Sequence, residues 1–348
     1  MNRNQWLPAL LPAGMLLALL FCFPKEMAQG VRDGLSVCGA ALVPSLFPFF
    51  VLCTFLTRSG LSDVFGQKAE KITRLLFRLP GEAGSAVLLG LCGGYPVGMR
   101  MTAQLYEKGA LTKAQAERMS LFCVAAGPAF VTGTVGASML GNRALGYLLL
   151  ASVTLSSLTV GVLLRFTDTP SALRAVLPRR DAGVARCICE AVADAGETML
   201  SVCAWVLLFS GVCAVIRKLP AALSLPLGCL LEVTSGCRTA ASASLPLPLI
   251  AAILGFGGLA VQCQLLPYVS ACGVRLSRFF AFRAVHAALS AVFCEALLCL
   301  FPQVQSVVLL RNGSVLQPMS ASAPASAALL VTAAVFIWQT APVKQEKS

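Results

Sequence analysis

Ala83–Tyr106 is a stretch of 24 residues whose one formal charge is Arg100. As an unbroken helix it would rise about 36 Å, enough to cross a hydrocarbon core about 30 Å thick. Its centre, Leu91-Cys-Gly-Gly-Tyr-Pro-Val-Gly-Met-Arg-Met-Thr-Ala-Gln104, argues against that helix. Pro96 removes a backbone donor and clashes with the preceding turn, and Gly93, Gly94 and Gly98 tolerate non-helical dihedrals. At membrane depth, freed backbone groups survive only where they face protein or a wet cavity. A broken apolar segment with a central arginine therefore marks a binding site. The alternative is a kinked spanning helix that carries Arg100 to a headgroup.

Composition places the rest of the chain in the same solvent. Of 348 residues, 57% are hydrophobic and 12% charged, and the mean hydropathy is +0.80. Several apolar runs reach spanning length, so the expected class is an all-α polytopic membrane protein. Runs such as Ala144–Leu164 do not alternate, which excludes a β-barrel. The net charge of +12 sits between apolar segments, where it orients a chain in a bilayer; no basic-aromatic patch points to nucleic acid. The 15 cysteines are scattered without a Cys-x-x-Cys pair, and His286 is the sole histidine, so no metal centre and no cofactor are expected. No nucleophile, paired-aspartate or zinc-protease motif suggests an enzyme.

In chain order, residues 1–32 hold an N-terminal transmembrane helix, Trp6–Phe23. Residues 33–165 form a first unit with a hairpin at 83–106. Residues 166–190 are a basic cytoplasmic loop. Residues 191–301 form a second unit with a hairpin at 223–247, and 302–348 hold an outer loop, a last span at Ala325–Thr340 and a cytoplasmic tail. Helix breaks are expected at Pro44 and Pro48, at Gly127-Pro128 and at Gly257-Gly258. The basic segments Arg58–Glu82 and Arg165–Glu190 suit anionic lipid on the cytoplasmic surface.

The two units repeat one another. Leu35-Ser-Val-Cys38 recurs as Leu200-Ser-Val-Cys203, Gly98-Met-Arg100 matches Gly236-Cys-Arg238, and Ala-Ala-Gly127-Pro128 answers Gly-Phe-Gly257-Gly258. If both hairpins enter and leave on one side, about eight spans remain and both termini are cytoplasmic. Inside segments then hold 19 of the 27 Lys and Arg and outside loops 6, leaving Arg100 and Arg238 within the hairpins. The first hairpin opens from the cytoplasm and the second from outside, an inverted repeat of the kind transporters use.

Pro44-Ser-Leu-Phe-Pro-Phe-Phe-Val, Gly94-Tyr-Pro-Val-Gly98 and Glu232-Val-Thr-Ser-Gly resemble the YlbJ-type sporulation integral membrane proteins, which carry the nucleoside-recognition Gate domain. The resemblance covers roughly Asp33 to Leu300. It implies a multi-pass protein of a bacterial inner membrane with two Gate-like repeats, related to transporters whose substrates sit between paired hairpins. Met99 departs from the small residue usual there, which bears on pocket size.

Site residues follow from both lines. In a re-entrant hairpin the second helix starts at mid-membrane, and its N-terminal amides suit a carboxylate, phosphate or hydroxyl. Gly94, Tyr95, Pro96 and Gly98 form that start in the first hairpin; Glu232, Thr234, Ser235 and Gly236 form it in the second. Arg100 and Arg238 add donor forks, either to a solute or as ion-paired struts with Glu232, Glu197 or Glu295 as partners. Gln104, Gln262 and Gln264 can donate and accept toward polar edges. The function expected is movement of a small polar, nucleoside-like solute; the alternative is a membrane scaffold in spore envelope development. Homo-oligomerisation is open.

Overall fold

The computed structural model describes residues 7–167 and 183–301, and every regular element in them is helical. The last span and tail at 302–348, and Arg174, Arg179 and Arg180 of the second basic loop, lie outside the described residues. Helix α1 (Leu7–Cys22) precedes α2 (Pro24–Val37), which runs through a π-helical turn at Cys38–Leu42 into α3 (Val43–Arg58). Pro44 and Pro48 do not break this helix, which continues from Pro24 to Arg58. The wide turn is the reason. The Val43 N–H reaches back five residues to the Cys38 carbonyl, which opens space ahead of the Pro44 ring, and Ser45 Oγ donates to the Ala41 carbonyl at 2.6 Å.

Helix α4 (Leu61–Phe77) meets α5 (Gly81–Gly93) at an 86° bend across Arg78–Pro80. It presents Leu61, Val64, Ile72 and Leu75 outward along with its basic side chains. Helices α5 and α6 (Tyr95–Glu107) form the first hairpin. At 13 residues each, they are about 20 Å long and shorter than a bilayer core. Next comes α7 (Lys113–Phe122), started by a Thr112–Gln115 capping box, then a five-residue break and the π-helix Ala129–Met139. Helix α8 (Arg143–Leu164) is capped by the Asn142 side chain.

The second half begins with α9 (Val184–Ile216), which starts earlier than Ala191 because the acidic turn at Glu190 and Asp194 stays helical. Helices α10 (Ala221–Leu231) and α11 (Val233–Ser242) make the second hairpin. Helices α12 (Leu247–Phe256) and α13 (Gly258–Ala271) are one span broken at Gly257, and α14 (Leu276–Leu300) closes the described chain. Among the described residues, five helices are long and apolar enough to cross a membrane, or six if α4 and α5 count as one bent span. The protein is an integral membrane protein with several spanning helices.

The helix Pro24–Arg58 packs along α9. Met27 meets Gly211, Gly34 meets Ser210, and Arg58 pairs with Glu190 and Asp194, so the two run antiparallel. Cys38 and Cys203 lie between these contacts, thiol against thiol. In a variant keeping only those two of the 15 cysteines, copper–phenanthroline oxidation should join 38 to 203 within one chain, seen as a cross-linked peptide by mass spectrometry. Labelling of both thiols by maleimide after oxidation would contradict this packing.

Candidate functional site

Two helix turns and two helix breaks meet at one place. The first hairpin reverses at Gly94, with φ 86° and ψ −168°, a conformation that favours glycine. A Cβ on Gly94 would come within 3.0 Å of the Gly127 amide nitrogen, so the hairpin tip rests directly on the break after α7. The second hairpin reverses at Glu232 in extended conformation. A Cβ on Gly258 would lie 2.8 Å from the Val233 nitrogen, so this tip rests on the α12–α13 break. The N-termini of α6, the π-helix, α11 and α13 thereby converge.

A cavity of about 50 Å³ lies between them. Gly94, Tyr95, Pro96, Gly127, Glu232, Thr234 and Gln264 line it at the helix ends. Leu42, Leu46 and Phe50 form one wall, and Val202, Trp205 and Val206 of α9 the other. Glu232 is 1% exposed and holds its own helix end: its two carboxylate oxygens accept from Thr234 N–H at 2.8 Å and Ser235 N–H at 2.6 Å. A carboxylate there is favoured by the helix dipole and keeps further lone pairs for a donor in the cavity. No side chain caps α6, so its partial positive end faces the same space. Tyr95 spans the two halves. Its ring lines the cavity and packs on Gly257, while its hydroxyl donates to the Leu254 carbonyl at 2.5 Å.

The carbonyls freed by the breaks are taken up by side chains. Arg283, fully buried on α14, donates to the carbonyls of Leu121 and Val124, and Ser157 Oγ donates to that of Phe122 at 2.5 Å. A cation at the end of α7 also suits its dipole. Gln262 Nε2 donates to the Phe256 carbonyl at 3.1 Å across the second break. Sequence reasoning counted Arg283 with the inside loop residues and missed its role. The signal was present, since it stands well inside an apolar span beside the sole histidine.

Other expected site residues lie elsewhere. Arg100 does not meet Glu232. Its guanidinium donates to Thr198 Oγ1 at 2.7 Å and pairs with Asp194 at 3.4 Å, sharing that carboxylate with Arg58. The reason is distance along the helix: six residues beyond Gly94 the side chain is about 9 Å from the tip. Arg238 is exposed on α11 rather than turned to the interior, and no described residue pairs with it. Glu197 and Glu295 are exposed too. Gly98 packs on the Cys123 carbonyl and Gly236 on Cys229, while Ser235 contributes its backbone to the Glu232 cap. Gln104 is half-buried and outside the cavity lining. Met99 is fully buried and does not reach the cavity, so it leaves the pocket size unaffected.

Gly94→Ala should lower stability by about 1–3 kcal/mol through backbone strain and the clash with Gly127. Glu232→Ala should cost about 0.5–2 kcal/mol through the lost cap. Thermal unfolding in detergent measures both, and unchanged melting of Gly94→Ala would mean that the tip does not sit on the break.

Residues 40–143, from the π-turn to the start of α8, match the family model for the Gate domain, described as nucleoside recognition. The chain is 28% identical to the sporulation integral membrane protein YlbJ of Bacillus subtilis (strain 168), over 80% of this chain and 79% of that protein. An uncharacterised protein of Alkalihalophilus pseudofirmus is 37% identical over 22% of this chain and 17% of its own length. No solved structure matches. The resemblance read from the motifs therefore holds: this is a membrane protein in which residues 40–143 match the nucleoside-recognition Gate model and which is similar over most of its length to YlbJ.

Proposed function

We propose that the protein moves a small polar solute, nucleoside-like in size and polarity, through the cavity between its two hairpins. It does so in a bacterial inner membrane during sporulation, the process named for its relative. The single observation that carries this reading is the resting of each hairpin tip on a helix break. An uncapped helix end, the Glu232 carboxylate and Gln264 then line one cavity.

The order of elements supports an inverted repeat. A long helix, a hairpin, a broken helix and a closing span occur in each half: Pro24–Arg58, α5–α6, α7 with the π-helix, and α8, then α9, α10–α11, α12–α13 and α14. The helix Pro24–Arg58 and α9 are equivalent members that run antiparallel, as inversion requires. Cys38 lies beside Cys203, the residue the sequence repeat pairs with it, which supports a pseudo-two-fold relation between the two helices. The eight-span reading counts α1, the α7–π-helix pair and the span expected from sequence at Ala325–Thr340, outside the described residues, with both termini cytoplasmic. Helix α4 lies on the cytoplasmic face, where its bases meet anionic lipid.

A cavity of about 50 Å³ holds only a few waters, so admitting a nucleoside-sized solute requires the hairpins to part. Arg100 ties the first hairpin to α9 through Asp194 and Thr198, away from the cavity. Arg100→Ala should therefore change the rate of movement more than solute affinity. Flux in proteoliposomes with a panel of polar solutes measures this, alongside spore formation by Arg100→Ala in a host deleted for its own copy. Absence of flux for every solute together with normal spores would reject the transport reading. Stable protein partners cross-linked to α4 would favour a scaffold instead.

A further inference from the structure

One polar cluster is left unused by the cavity. Arg283, His286 and Ser290 recur on α14 at three- and four-residue intervals, so they share a face, and all three are 0% exposed. Both ring nitrogens of His286, Ser290 Oγ and Arg283 Nε have no hydrogen-bond partner among the described residues. Buried polar atoms in folded interiors are bonded, and buried water is the usual partner where protein groups are lacking. A neutral imidazole needs one donor and one acceptor, and water supplies both.

The surroundings lead toward the cavity. Gly255 of α12 lies so close that a Cβ there would be 2.5 Å from Ser290 Oγ and 2.7 Å from the His286 carbonyl. That carbonyl accepts from Ser156 Oγ of α8 at 3.1 Å. The preceding residue, Leu254, holds the hydroxyl of Tyr95, whose ring lines the cavity. The packed elements bring few other ionisable groups. Helix α12 brings none, and α8 carries Arg143 and Tyr147 near its start. Helix α13 carries Cys263 and Tyr268. Helix α7 carries Lys113 at its start, Glu117, paired with Arg278, and Arg118, which donates to the carbonyls of Leu164, Phe77 and Arg78. Cys123 and Tyr95 interact electrostatically with Arg283, and Cys294 lies beside Ser152.

We propose that this face holds internal water and that His286 is a proton-carrying site beside the cavity. A ring nitrogen accepts a proton arriving along that water as hydronium, which leaves neutral water, and releases it to water again as the hairpins open and close, so that protons couple to solute movement. The inference rests on the transport reading. His286 is the one imidazole in the chain, so ¹⁵N-histidine labelling gives one pair of ring signals.

In lipid bilayers, solid-state NMR of the intact protein should show transfer from water protons to those nitrogens and a titration of the ring. In proteoliposomes containing a pH dye, a valinomycin-set potassium potential should drive proton entry. Entry should slow on the order of ten-fold or more in His286→Gln. Ring nitrogens without water contact at any pH would overturn the site in the unmutated protein. Proton entry equal in His286→Gln and wild type would overturn the carrier role. Solute flux that ignores a pH gradient and persists in His286→Gln would remove this inference and leave transport standing. A hydrated, titrating imidazole with proton entry but no movement of any solute would do the reverse.

Discussion

Lipid offers no hydrogen bonds, so every backbone group freed inside the membrane must be met by the protein itself. Four interruptions, at Gly94, at 123–127, at Glu232 and at Gly257, raise this demand in one small region. The structure answers it in three ways. Glu232 caps α11 with its own carboxylate, Arg283 and Ser157 take the carbonyls at the end of α7, and the hairpin tips close on the breaks backbone to backbone. The cavity lies where these four interruptions meet.

The same demand explains the placing of charge. Arg283 is buried because the end of α7 supplies acceptors for it, with the Phe279 ring 5.7 Å away. Arg58, Arg100, Glu190 and Asp194 gather where α3, α6 and α9 meet, midway along α6 and away from its tip. That network holds the first hairpin to the crossing of Pro24–Arg58 with α9. An arginine network partway down one hairpin and a carboxylate at the other hairpin's tip divide the labour between holding the fold and facing the cavity.

Much of this was legible in residues. Gly93-Gly-Tyr-Pro96 announced a hairpin, and α5 and α6 turn at Gly94. Glu232-Val-Thr-Ser announced a second, and its carboxylate is where an N-cap pattern puts one. Pro44 and Pro48 misled because a π-turn absorbs what a proline usually disrupts. Arg100 and Glu232 looked like partners because both sit in hairpin motifs, yet the rise along α6 separates them.

The membrane class and the two hairpin turns could be read from residues alone, since these depend on local composition and on glycine and proline dihedrals. Packing settled which tip rests on which break, that Asp194 rather than Glu232 receives Arg100, that Arg238 is exposed, and that His286 is buried with no hydrogen-bond partner among the described residues. Those outcomes depend on contacts between residues more than 90 positions apart in several cases, such as Arg100 with Thr198. A helix repeats its chemistry every turn, and the face it buries is chosen by the helices that pack against it.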